Sequence, residues 1–331
     1  MKNKDVVGID VSKLTIDAYI QLSQVHAVFK NDSKGFKQLL KWIKRNVDCT
    51  MDELLICFEI TGLYSLQLAS FLGQRDINYI MENPIQIKRS MGLVRGKDDK
   101  VDSKRIAEYA YMRKDKLKLT TLPSDDLIKM QNILSLRERM IKQKAGYQAS
   151  LKEYKRVLVQ QHEKDFFQML NSINGALIKQ IKKAEKTLLE IIDSNKTLKD
   201  QYALLTSIKG VGIILASNLM VTTVCFTKFT DSRKYACYCG TAPFRYSSGT
   251  SIKGRTKVSQ MANKKMKALF SLAARSAIQH DPELKQYFYN RMAKGANGMS
   301  TINIIRNKMI HRVFAVMKRG TPYVVMAKHA A

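Results

Sequence analysis

Short apolar runs and tight turns dominate the first hundred residues. Residues 5–11 and 15–20 read as two strands joined by a turn at Ser12-Lys13, and the alternation His26-Ala27-Val28-Phe29 predicts a third. An apolar stripe of Phe36, Leu39, Leu40, Trp42 and Ile43 predicts a helix over 33–46, with Ser33 as its N-cap. A buried-type strand follows at 53–60, then a helix over 64–72, a strand at 77–81, a helix led by Pro84 and another over 101–114. A three-strand meander followed by alternating helix and strand predicts a mixed sheet with helices on both faces.

The pattern changes after residue 120. Residues 125–197 contain almost no turn signals outside Asn171–Gly175. Leu170, Leu177, Ala184 and Ile191 recur every seven residues, with Ile181 and Leu188 at the alternate seam position. Leu127, Met130, Leu134, Ile141, Leu151 and Leu158 share a broader face. Two long helices are expected, paired either as an antiparallel hairpin or as an intermolecular coiled coil. The remainder reads as mainly helical, apart from a Gly/Ser-rich stretch at 240–256. It opens with Gly210-Val211-Gly212 between two short helices, a turn that either binds phosphate on exposed N–H groups or simply joins the helices. The expected organisation is an α/β domain at 1–120, a helical arm at 121–200 and a mainly α-helical domain at 201–331.

Charge narrows the partners. The 331 residues carry a net charge of +29, and residues 201–331 hold 21 Lys/Arg against 3 Asp/Glu. Between Ser232 and His280 there are ten Lys/Arg and no acid. Such clustering points to a polyanion, and to nucleic acid before membrane. No apolar run approaches the ~20 residues that span a bilayer, and no signal-peptide pattern opens the chain. A cytoplasmic, nucleoid-associated protein is expected. Five scattered cysteines and no helical histidine pair speak against a disulfide framework and against structural zinc.

Against this basic background four carboxylates stand out. Asp10 ends the run Val6-Val7-Gly8-Ile9, and Glu59 ends Leu54-Leu55-Ile56-Cys57-Phe58. Asp99 and Asp102 lie at i and i+3, on one face of a helix start. Asp98 adjoins them, and the spacing and helix phase favour Asp99. Each acid alone could be a turn or capping residue. Together, at strand ends and a helix start, they have the form of a ribonuclease H-type site. Hard oxygen donors of this kind suit two Mg²⁺ ions, with Mn²⁺ able to substitute. Arg245, Lys253, Arg255, Lys257, Lys264, Lys265 and Lys267 are expected to contact backbone phosphates, with Arg95, Lys97 and Lys100 serving similarly beside the acids. The stretch 249–256 lacks the lysine and preceding strand of a P-loop, so ATP binding is not expected.

An ordered set of motifs resembles the transposases of bridge-RNA-guided insertion sequences, relatives of the Piv-type DNA invertases. The matching residues are Gly8-Ile9-Asp10-Val11-Ser12-Lys13, Phe58-Glu59-Ile60-Thr61-Gly62-Leu63-Tyr64 and Lys97-Asp98-Asp99-Lys100-Val101-Asp102. Further along they are Gly240-Thr241-Ala242-Pro243, Ser248-Gly249, and Gly254-Arg255 through Ala262-Asn263-Lys264. The resemblance implies a RuvC-like domain with Asp10, Glu59, Asp99 and Asp102 as metal ligands. It also implies a coiled-coil insertion and a C-terminal domain with a catalytic serine, Ser248. Ser247 adjoins that serine and is the alternative nucleophile. Donor and target DNA, a guide RNA and a homo-oligomer, dimer or tetramer, joined through the arm are the partners it implies. Acids and serine would then meet on domain closure or across subunits. The competing expectations are a hydrolytic nuclease of junction-resolvase type, using water in place of Ser248, and a non-catalytic nucleic-acid-binding protein.

Overall fold

A computed structural model describes residues 4–90, 99–158, 162–248 and 252–324. The chain divides into two compact units, one ending at Leu122 and the other beginning at Pro123.

The first unit contains β1 (Asp5–Val11), β2 (Thr15–Ile20), β3 (His26–Lys30), α1 (Ser33–Asn46), β4 (Leu54–Glu59), α2 (Leu63–Gly73), β5 (Tyr79–Glu82), α3 (Pro84–Ser90) and α4 (Asp99–Arg113). The sheet order is β3-β2-β1-β4-β5. β1, β2 and β3 form the antiparallel meander, and β4 and β5 run parallel to β1. The turn between β1 and β2 is held by Ser12, whose hydroxyl accepts the Thr15 amide at 3.1 Å. The cap of α1 is Asp32, which accepts the Gly35 amide at 2.8 Å, and not the expected Ser33.

Alternation along the strands separates two cores. Val7, Ile9, Leu54, Ile56 and Phe58 face α1 and α2, packing on Phe36, Leu39, Ile43, Leu68 and Leu72. Val6, Leu55 and Cys57 face the other way, onto Ile106, Tyr109 and Ala110 of α4 and Ile87 of α3. β4 is therefore buried on both faces, which explains its unbroken apolar run.

Gly8 sets the height of α4 above the sheet. A Cβ built there would lie 2.2 Å from the Ala107 nitrogen and 2.3 Å from the Ser103 carbonyl oxygen. Both are backbone atoms, so neither can turn aside. Gly8→Val is expected to force α4 off β1 and to destabilise the unit by roughly 3 kcal/mol or more. Thermal unfolding measures this, and an unchanged melting temperature would show that the approach is not tight.

The second unit contains α5 (Asp125–Val157), α6 (Lys164–Ser194), α7 (Lys196–Thr206), α8 (Ile213–Thr223), α9 (Ser232–Tyr238), β6 (Pro243–Ser248), β7 (Ile252–Val258), α10 (Lys264–His280), α11 (Pro282–Ala293) and α12 (Gly298–Arg319). α5 and α6 form an antiparallel hairpin. Asn195 donates to Asp126 at 3.0 Å at one end, Arg137 pairs with Glu185 midway, and the Tyr154 and Phe166 rings meet at 4.9 Å at the other. The buried seam of α6 runs through Leu170, Asn174, Ile181, Ala184, Leu188 and Ile192. It begins in the heptad register and ends one residue beyond it, at Ile192 in place of Ile191. This is the drift of a straight 3.6-residue helix against a seven-residue repeat. Leu127, Met130, Leu134, Leu188 and Ile192 join one core with α7 to α12.

The turn after α7 fits its glycines. Gly210 has φ +91°, and a Cβ there would lie 2.5 Å from the Ala273 carbonyl oxygen. The stretch 240–256, for which the sequence signals no element, contains most of a β-hairpin. β6 and β7 pair antiparallel with a register shift between Phe244 and Tyr246, where Arg245 of β6 stands opposite two residues of β7, Arg255 and Thr256.

Candidate metal centre and nucleic-acid interface

Asp10, Asp99 and Asp102 converge. One carboxylate oxygen from each lies within 4.8 Å of the others. Asp10 shares the α4-facing side of β1 with Val6 and Gly8. Asp99 and Asp102 occupy the first turn of α4. The Gly8 contact is what allows that turn to lie close to the strand.

Glu59 ends β4, one step past the Ile9–Phe58 pairing that places it beside Asp10. It stands outside the 4.8 Å group. Its carboxyl is nonetheless held above the usual range, first by burial and then by the charges of Asp10 and Asp102. Arg105 donates to one oxygen of Asp102 at 2.7 Å, which fixes that carboxylate on the helix.

Asp10 is the most perturbed acid of the group. Burial, followed by the charges of Asp99, Asp102 and Asp17, pushes its carboxyl up to about 6. A folded-state value above the ordinary 3.8 gives stability that is full below 3.8 and lost as pH rises through about 6. Without divalent cations the melting temperature should therefore fall across that window. Asp10→Asn should flatten the fall and melt higher than wild type at pH 7 in chelator. A wild-type curve with no slope there would contradict the crowding of charge.

Sequence reasoning missed two neighbouring acids. Asp17 stands directly opposite Asp10 in the β1–β2 register and is 8% exposed, bonded to His26 Nε2 at 3.0 Å. The tight turn at Ser12 and strand alternation together would have located it. Glu82 pairs with Glu59 in register and accepts the Tyr109 hydroxyl at 3.0 Å.

The donor set fits a hard divalent cation. It consists of carboxylates alone, with no sulfur or imidazole in the cluster, and repulsion among them opposes their common ionisation unless a cation is present. Asp10, Asp99 and Asp102 could hold it, with Glu59 within electrostatic reach.

The basic residues divide. Arg245 on β6, Lys257 on β7 and Lys264 at the start of α10 are exposed, and Lys267 is half-buried one turn along α10. Lys265 is engaged at 3.0 Å by Glu138 of α5, a carboxylate that it shares with Lys142. Lys253 and Arg255 lie on β7, and Ser248 ends β6 in register with Ile252; only their backbone is described. Lys100 is exposed in the first turn of α4. Arg95, Lys97 and Asp98 lie outside the described residues. All five cysteines are free thiols. Among the described residues no helix is long and apolar enough to cross a membrane.

Two family models match in chain order. One, a DEDD domain of IS110 elements described as Transposase, covers residues 7–162. The other, described as Transposase IS116/IS110/IS902 family, covers residues 202–289. The first match contains all four acids, and the second contains Ser248 and the hairpin. A Streptomyces coelicolor protein, "Insertion element IS110 uncharacterized 43.6 kDa protein", is 33% identical over 119 residues, which is 36% of this chain. The match spans 29% of that protein's length. The chain carries both transposase domains of the IS110 family.

Proposed function

We propose that the protein is a DNA transposase that mobilises an insertion sequence by divalent-metal-dependent phosphoryl transfer. The convergence of Asp10, Asp99 and Asp102 within 4.8 Å, from segments nearly ninety residues apart, carries this reading. A chain of net charge +29 has little use for such a knot of carboxylates unless it serves a phosphate. The strand order β3-β2-β1-β4-β5, with acids at the ends of β1 and β4, is what a RuvC-like domain requires.

Bound Mg²⁺, or Mn²⁺ in its place, would neutralise the scissile phosphate and favour deprotonation of the attacking hydroxyl. Asp10 would be the central ligand, because it is the most crowded by the other acids. Asp99, Asp102 and Glu59 would complete the set, with Asp102 oriented by Arg105. Ser248 is the proposed nucleophile. Its oxygen bonds to phosphorus, its proton leaves, and the departing deoxyribose oxygen takes up a proton. The phosphoserine link conserves the bond for rejoining. Arg245, Lys257, Lys264 and Lys267 would hold strand phosphates around the hairpin. A structured guide RNA, pairing of subunits through the α5–α6 arm and a place in the prokaryotic cytoplasm belong to the same reading. They rest on the resemblance.

One observation favours a second reading. The acids assemble within the first unit without Ser248, as a hydrolytic nuclease would need. The test is cleavage of labelled element-end DNA, with RNA transcribed from the flanking non-coding sequence. Cleavage should vanish in chelator, return with Mg²⁺ or Mn²⁺, and be absent in Asp102→Asn under all conditions. Metal-independent cleavage would remove the acid site from the chemistry.

A further inference from the structure

α12 carries two buried-side arginines that are treated differently. Arg312 is neutralised by Asp281 at 2.7 Å and also by Glu283. Arg306 is 6% exposed and has no carboxylate partner among the described residues. Its Nε is buried without any hydrogen-bond partner. Among the described residues its one hydrogen bond is a long one, from Nη1 to Asn303 Oδ1 at 3.3 Å. The charged neighbour that acts on it is a second cation, the exposed Arg275 of α10. Burial and that neighbour both disfavour its charge. A guanidinium cannot escape by neutralising itself, so an enclosed, unmatched one is costly.

The surroundings give this cost a use. Asn303 and Asn307 donate to the Thr241 carbonyl at 2.9 and 3.0 Å, and Thr241 donates to Asn307 at 2.7 Å. Thr241 lies two residues before β6. Asn303, one of the side chains that tether the root of the β6–β7 hairpin, therefore also meets the unmatched arginine.

We propose that Arg306 and Arg275 form an anion site that receives a backbone phosphodiester of nucleic acid at the root of the β6–β7 hairpin. A phosphate oxygen pair matches the fork of a guanidinium and supplies the negative charge that the protein withholds. Arg275, being exposed, marks the side of entry. The proposal rests on the reading of the chain as acting on nucleic acid, and it assigns to that reading a contact outside the basic residues of the hairpin.

The test uses the full chain and the variants Arg306→Met and Arg275→Gln. Methionine keeps the length of the side chain and removes the charge. Melting temperature is measured with and without inorganic phosphate, and binding of duplex DNA and structured RNA is followed by fluorescence anisotropy over a range of salt. Arg306→Met should melt at or above wild type in phosphate-free buffer, since an unmatched buried charge is gone. It should lose the stabilisation by phosphate that wild type shows. Its affinity for at least one nucleic acid should fall about tenfold, with the salt slope reduced by about one. Arg275→Gln should move both readouts the same way. The nucleic acid that loses affinity identifies the source of the phosphodiester. A variant that melts well below wild type and binds both nucleic acids normally would make Arg306 a structural residue and overturn the proposal. Loss of the phosphate effect with both affinities unchanged would also overturn it, leaving a site for free phosphate. Wild type that binds no nucleic acid would sink the underlying reading instead.

Discussion

Asp10→Asn should remove metal-dependent strand cleavage by a factor on the order of 10³ while leaving the fold intact. The substitution is nearly isosteric, and among the described residues Asp10 makes no side-chain ion pair that folding needs. What it loses is the charge at the centre of the cluster, which Asp99 and Asp102 crowd and which in turn holds the Glu59 carboxyl up. An amide is a poorer donor to a hard cation and cannot offset its charge. The stability effect has the opposite sign, because removing one of several crowded carboxylates relieves repulsion in the metal-free protein. A variant that is inactive yet melts higher in chelator would separate the functional role from a structural one. A variant that cleaves within threefold of wild type would place the chemistry elsewhere.

Ser248→Ala should abolish strand transfer and rejoining, whereas Ser247→Ala should retain them. The change removes a single oxygen from the last residue of β6, so the pairing with Ile252 should survive. If the hydroxyl is the nucleophile, no neighbouring group takes over its bond to phosphorus, and turnover falls to the background left by strand binding and the acid site. Product analysis on element-end DNA distinguishes the outcomes. Hydrolysed ends at an undiminished rate in Ser248→Ala would favour water as nucleophile and the hydrolytic reading.

Much of this arrangement is legible in the amino-acid order. Asp10 and Glu59 follow apolar runs that can only be buried strands, so both must emerge at the sheet edge. The helical phase of Asp99 and Asp102 puts them on one face. The features that stay hidden depend on contacts between distant segments. Gly8 looks like an ordinary strand glycine until α4 is seen resting on its Cα side, and Asp17 acquires meaning only when the register sets it against Asp10. The β6–β7 hairpin is poor in the apolar alternation that reveals strands, and its Phe244, Arg245, Ser247, Thr256 and Lys257 are exposed. In the arm, the drift of helical phase moves the seam from Ile191 to Ile192. The basic residues show the sharpest limit. By composition Lys265, Arg306 and Arg312 are three more cations, yet Glu138 engages the first, two acids match the last, and no carboxylate among the described residues meets Arg306.

A covalent-adduct assay tests the central claim, joint action of the acids and the serine, most directly. Wild type, Ser248→Ala, Ser247→Ala and Asp10→Ala are incubated with labelled element-end DNA, Mg²⁺ and the flanking RNA, then resolved under denaturing conditions. The account predicts a protein–DNA band in wild type and Ser247→Ala that is absent from Ser248→Ala and Asp10→Ala. Cleavage with no adduct in wild type, at a rate untouched by Ser248→Ala, would contradict it.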